Sequence, residues 1–254
     1  MYKKITTLIL LVALAQTAFA QMAVGGKIVY IGGKAGVNVT TVGQRPGYIF
    51  GSFGMTKDKK EEAEGAIRSE IGGRLKIGTQ AGIIFDFPAT DKLSIQPGIV
   101  FFQYGCKMKA DISTPIPDTT PAQKETTDMK ASVTLNYVQI PLTFQLKKER
   151  IRTTRLIQIS PYIGIGLGGK IKEKYFDGGK MIYTGGWQIP MGADSELYDY
   201  SNIDYGVGIG FGYQFRSVQA VLSYNAGLKN INMNYSAFSP RVYNSGVALT
   251  LTFL

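Results

Sequence analysis

Asp86 and Asp204 are the residues of this chain whose type and setting could do chemistry. Each is a carboxylate flanked by large apolar neighbours, Phe85 and Phe87 around one and Ile203 and Tyr205 around the other. Two such carboxylates, if they converge, can share acid–base work. The chain contains no histidine, which removes Ser-His-Asp chemistry, imidazole proton transfer and the commonest zinc ligand together. Lys34, Lys76 and Lys170 alternate onto what reads as the same inward face as the two carboxylates. An unpaired charge in a narrow interior is costly, so the five residues read as an internal hydrogen-bond and ion-pair network. Catalytic, cofactor and metal-binding roles are assigned to none of them.

Two further patterns imitate ligand sites. Gly164–Lys170 (GIGLGGK) comes close to a phosphate-binding loop, but Ile171 stands where Ser or Thr is needed, and its glycines fall on alternate positions of an apparent strand. Asp194, Glu196 and Asp199 suggest calcium, yet their spacing fits no known loop template.

The element that positions Asp204 is the most informative stretch of the chain. In Ile203–Phe215 (IDYGVGIGFGYQF) every odd position is apolar or aromatic, and every even position is Asp, Gly or Gln. Period two makes it a strand with one greasy face. Small or polar residues inside and bulky apolar ones outside is the pattern of a small barrel in lipid. Lys34–Thr41, Leu75–Phe87, Leu93–Tyr104, Val133–Leu146, Ile157–Ile171, Val218–Lys229 and Val242–Leu254 repeat it, giving about eight strands near the ten residues that a tilted membrane strand needs. Leu75, Ile77, Ala81, Ile83, Phe85 and Phe87 are expected outward, and a parity slip near Tyr137 and Val138 predicts a bulge.

Links between these strands alternate in length. Gln44–Arg74, Lys107–Ser132 and Lys172–Asn202 are long; Pro88–Lys92 is short and Arg216-Ser217 is a tight turn. Long links at one end and short at the other is what outer loops and periplasmic turns produce. Glycine, 31 of 254 residues, exceeds the usual ~7%, and the single Cys106 leaves stability to packing and backbone pairing. Met1–Lys4 carries two lysines, Ile5–Ala15 is apolar, and Ala18-Phe19-Ala20 is a small-x-small site. Residues 1–20 therefore read as a secretory signal peptide cleaved after Ala20, and 21–254 as one barrel domain.

LSIQPGIVFFQYG (Leu93–Gly105), LNYVQIPLTFQLK (Leu135–Lys147) and PYIGIGLGGKIKEK (Pro161–Lys174) resemble the successive strand motifs of the PorT-like outer-membrane β-barrel proteins of Bacteroidetes. GGKAGVNVT (Gly32–Thr40) and GVALTLTFL (Gly246–Leu254) fit the same order. The resemblance covers about Lys27 to Leu254 and implies an all-β, eight-stranded antiparallel up-and-down transmembrane barrel. It implies insertion by the barrel assembly machinery, and a role in protein secretion for some members. Such barrels often end on an aromatic residue; here Phe253 is followed by Leu254.

Recognition is expected on the links. Tyr175, Phe176, Tyr183, Trp187, Tyr198 and Tyr200 form either an interfacial aromatic girdle or a surface that grips a glycan or protein. Ile112–Thr127 is rich in Pro and Thr and reads as extended. The formal net charge of +10 loses two with Lys3 and Lys4. The remaining cations are scattered, so nucleic acid is not expected; the densest group is Lys147, Lys148, Arg150, Arg152 and Arg155. That group reads as a periplasmic patch beside anionic headgroups or an acidic protein partner, and outer-membrane lipid and lipopolysaccharide are expected to surround the wall. The leading expectation is a non-enzymatic outer-membrane barrel with a structural or interaction role and no cofactor. A narrow solute channel is the alternative, and a soluble lipocalin-like binder a third reading.

Overall fold

The structure, a computed structural model, describes residues 20–24, 27–43, 68–115, 124–149, 153–192, 200–233 and 241–254. Ten strands follow in order: β1 (Ala20–Val24), β2 (Lys27–Gly43), β3 (Arg68–Pro88), β4 (Leu93–Pro115), β5 (Lys124–Glu149), β6 (Thr154–Asp177), β7 (Lys180–Ile189), β8 (Ile203–Phe215), β9 (Val218–Gly227) and β10 (Tyr243–Phe253). Eight of them close a ring. β2 pairs β3 on one side and β10 on the other, and antiparallel neighbours continue through β4, β5, β6, β8 and β9. Closure leaves no edge within the ring, which is the condition for a sheet in hydrocarbon.

The outward face is apolar. On β6, Ile157, Ile159, Ile163, Ile165 and Leu167 are all exposed, and on β8 so are Ile203, Tyr205, Ile209, Phe211 and Phe215. Their inward neighbours Gln158, Tyr162, Gly164, Asp204, Gly208 and Gly210 are buried. From Ile157 to Leu167 the chain rises about 33 Å at ~3.3 Å per residue, or about 25 Å after a ~40° tilt, the height of a lipid-facing band. Small residues inside are a packing requirement in so narrow a ring. A Cβ at Gly210 meets the Gln158 side chain at 2.9 Å and Val221 at 3.0 Å.

β1 and β7 stand outside the ring. β1 pairs with Lys27–Ile31 of β2, below the point where β10 ends opposite Gly33. β7 pairs with Gly169–Asp177 of β6, above the stretch that β8 occupies. β7 and β8 thus run the same way beside β6, β7 ending at Ile189 and β8 beginning at Ile203. Pro190 supplies no donor to the ladder, and Gly192 takes a φ of 69°, which favours glycine.

The wall is lopsided. β4, β5 and β6 contain 23, 26 and 24 residues, whereas β8, β9 and β10 contain 13, 10 and 11. Much of Lys107–Ser132 and Lys172–Asn202, expected to be loop, is instead paired strand: β4 reaches Pro115, β5 begins at Lys124, and β6 turns into β7 at Gly178-Gly179. Sequence periodicity lost these extensions because charged and small residues occupy both faces once the chain leaves the apolar band.

Two bulges set which way the extensions face. On β3 the register against β4 slips between Leu75 and Gln80. Leu75 therefore pairs with buried Cys106 and shares its inward side, contrary to the outward expectation. The slip expected near Tyr137 is real in register, between Asn136 and Tyr137, but the extra residue is Leu167 on β6, opposite it. β5 itself keeps strict alternation, with odd positions from Ala131 to Gln145 buried. Gly168, at a φ of 123°, absorbs the insertion.

Candidate functional site

The lumen has three zones. At the short-turn end, amides link the strands across the barrel. Gln96 donates from Nε2 to Asp86 Oδ1 at 3.2 Å and to Gln145 Oε1 at 3.2 Å. Gln145 donates to Gln158 at 3.4 Å and Gln219 at 3.2 Å, and Gln219 returns a bond to Gln145 at 3.1 Å. Asp86 also pairs with Lys147 at 3.2 Å. Each of these side chains reaches inward because it falls on the buried parity of its strand, and each satisfies polar groups that water cannot reach.

Mid-lumen, Lys34, Gln80, Gln139, Ser160 and Tyr162 line a cavity of about 30 Å³. That has room for two or three waters at ~10–15 Å³ each. Thr143 and Ser160 share a hydrogen bond at 2.7 Å, and Gln80 donates to Thr250 at 2.8 Å.

The long-link end is closed by apolar side chains. Val42, Phe102, Tyr104, Cys106, Val133, Leu135, Tyr137 and Ile171 project from the wall, while Ile189 comes in from the end of β7 and Ile231 from the link after β9; Met191 and Tyr200 pack against them. Leu135, Tyr137 and Ile231 are fully buried. Phe102, Tyr104 and Tyr137 are in ring contact, at centroid distances of 4.5 and 5.9 Å. Beneath them, Tyr104 OH donates to Tyr162 OH at 3.3 Å and accepts from Gln139 at 3.1 Å, while Asn244 donates to Asp204 at 2.9 Å.

The five-residue internal network divides. Asp86 and Asp204 lie at opposite ends of the lumen, separated by about 20 Å of strand at ~3.3 Å per residue, so the two carboxylates do not meet. Lys34 faces the mid-lumen cavity. Lys76 instead donates to Val133 O at 2.8 Å and to Thr134 Oγ1, and Thr134 lies on the outward parity of β5; the β3 bulge turns the chain there. Lys170 is a correction: it is exposed on the outer wall, because the extra residue at Leu167 reverses β6 and sends Gly169, Ile171 and Glu173 inward. The phosphate-loop imitation falls on the same bulged strand.

The basic group divides likewise. Lys147 turns inward to Asp86, and Lys148 lies opposite Arg155 in register on the outward side of the wall; Arg150 and Arg152 lie outside the described residues. Among the aromatics, Tyr175 and Tyr183 pair across β6 and β7 at 5.7 Å, and Lys130 Nζ sits 4.1 Å over the Phe176 ring. Trp187 lies opposite Ile171. Tyr200 packs against the closing cluster, which removes it from any girdle. Tyr198, with Asp194, Glu196 and Asp199, lies outside the described residues. Sequence reasoning overlooked the glutamine chain and the tyrosine layer, although inward parity at Gln96, Gln145, Gln158, Tyr104 and Tyr162 was their signal.

The sequence model of a family described as outer membrane protein beta-barrel domain matches residues 15–232. A search of curated proteins gives no match.

Proposed function

The chain belongs to the outer membrane protein beta-barrel domain family, and from that premise we propose that it is a closed, non-enzymatic interaction barrel of the PorT-like kind. It is an integral barrel of the bacterial outer membrane; its own task, on this reading, lies in the wall extension and links at the outer end, where a protein partner docks, protein secretion being the process it serves. Residues 1–20 act as the export signal, cut after Ala20.

The carrying observation is the apolar closure of one mouth. Leu135, Tyr137 and Ile231 leave no exposed surface, and the mid-lumen cavity beneath them is about 30 Å³, so the described residues favour a plugged lumen over the channel reading. An eight-stranded ring is just wide enough to be filled by its own side chains. The absence of histidine and the separation of Asp86 from Asp204 favour a non-catalytic role. Single-channel recording in planar bilayers tests this. Purified protein is expected to give no sustained conductance step; a stable conducting state would overturn it in favour of transport.

A further inference from the structure

Above the lipid-facing band, the outward side of the wall is a ladder of lysines. The bulge at Leu167 places Lys170, Lys172 and Lys174 of β6 on the outside. Register then aligns them with β5 and β4 in rungs: Gly105–Thr134–Lys170, then Lys107–Ser132–Lys172, then Lys109–Lys130–Lys174. Five of the six lysines are exposed and Lys109 is half-buried. Arg74 of β3 takes the register position opposite Lys107. The lowest rung is crossed by Lys76 of β3, whose side chain lies against Gly105 and donates to Thr134 Oγ1, while Ser132 separates Lys107 from Lys172.

Like charges set directly opposite one another repel across strands, and the top rung puts three side by side. Among the described residues, the one ion pair is Lys147–Asp86, at the other end of the barrel. Asp128, one rung higher, is the described carboxylate nearest on this face. The repulsion calls for an external anion. Where it sits decides which one: below the lowest rung lie one polar pair, Gln103 and Asn136, hydrogen-bonded at 3.0 Å, and then the apolar residues Phe101, Val138 and Ile165. A molecule whose hydrocarbon lies on that band brings its headgroup to the lysines.

We propose that Lys107, Lys109, Lys130, Lys170, Lys172 and Lys174 bind the phosphates of an outer-leaflet lipid, a bis-phosphorylated glycolipid of the lipid A type. Rungs about 6–7 Å apart along a strand and ~4.8 Å between strands match a headgroup carrying more than one phosphate, each meeting several ammonium groups. Each lysine near an anionic lipid surface strengthens such binding roughly fivefold. The inference rests on the outer-membrane reading but not on the closed lumen or on any protein partner.

Native mass spectrometry of the detergent-solubilised full-length protein tests it. The probes are lipid A, phosphatidylcholine, inorganic phosphate and polyglutamate. Wild type should retain lipid A in preference to the other three. Lys107→Gln/Lys130→Gln/Lys172→Gln should weaken lipid A roughly 100- to 200-fold. Lys148→Gln/Arg155→Gln, on the opposite rim, should leave it unchanged. Heat-modifiable migration on gels checks that each variant is folded. Equal lipid A binding by the triple variant would overturn the assignment, as would phosphatidylcholine, phosphate or polyglutamate binding as tightly as lipid A.

Discussion

Asp86 and Lys147 show how a single residue's meaning depends on its strand's parity. Both are ionisable groups turned into a barrel interior, where they pair at 3.2 Å, with Gln96 as the second donor to the carboxylate. Lys147→Met removes the partner and leaves a buried carboxylate to one amide, and breaking a buried pair costs about 3 kcal/mol. Urea-dependent refolding into liposomes should read that loss, and adding Asp86→Asn should restore much of it, since the double variant strands no charge. Additive losses in the double variant would mean that the two residues act independently. Nothing in the sequence joined Asp86 to Lys147. They are 61 positions apart, and Lys147 belongs by composition to a basic run that invites a surface reading.

At the scale of the element, alternation was legible and interruption was not. Ile203–Phe215 matches the observed β8 end to end, because an uninterrupted apolar/small repeat admits only one assignment of faces. β6 misled at Lys170 because a bulge of one residue leaves composition unchanged while reversing every later side chain. The clue was Gly168-Gly169, two glycines in succession where strict alternation needs one. At a φ of 123° Gly168→Val is strained and should cost about 1–3 kcal/mol in the same refolding assay. Gly164→Ala is the control: its new Cβ would meet Tyr137 at 3.4 Å, ordinary contact, so stability should be unchanged or slightly raised. Equal losses at both positions would remove the bulge from the account. The upper strands escaped periodicity for a different reason. They leave the lipid, and with it the rule that one face must be apolar.

The whole molecule combines a ring that satisfies every wall with a neighbour, an interior filled by side chains, and one side built taller than the other. Ring closure was legible from the even strand count and alternating link lengths; the filling was not, since it gathers Val42 and Ile231 into one cluster and joins Asp204 of β8 to Asn244 of β10. The central claim is that the apolar face of this ring meets acyl chains. Site-directed spin labelling of β8 in a Cys106→Ser background tests it most directly, with nitroxides at Ile203, Tyr205, Val207, Ile209, Phe211, Tyr213 and Phe215 in lipid vesicles. Oxygen access relative to a nickel chelate should peak at Ile209 and fall toward both ends of the strand. A nickel chelate that reaches Ile209 as readily as Phe215 would contradict it.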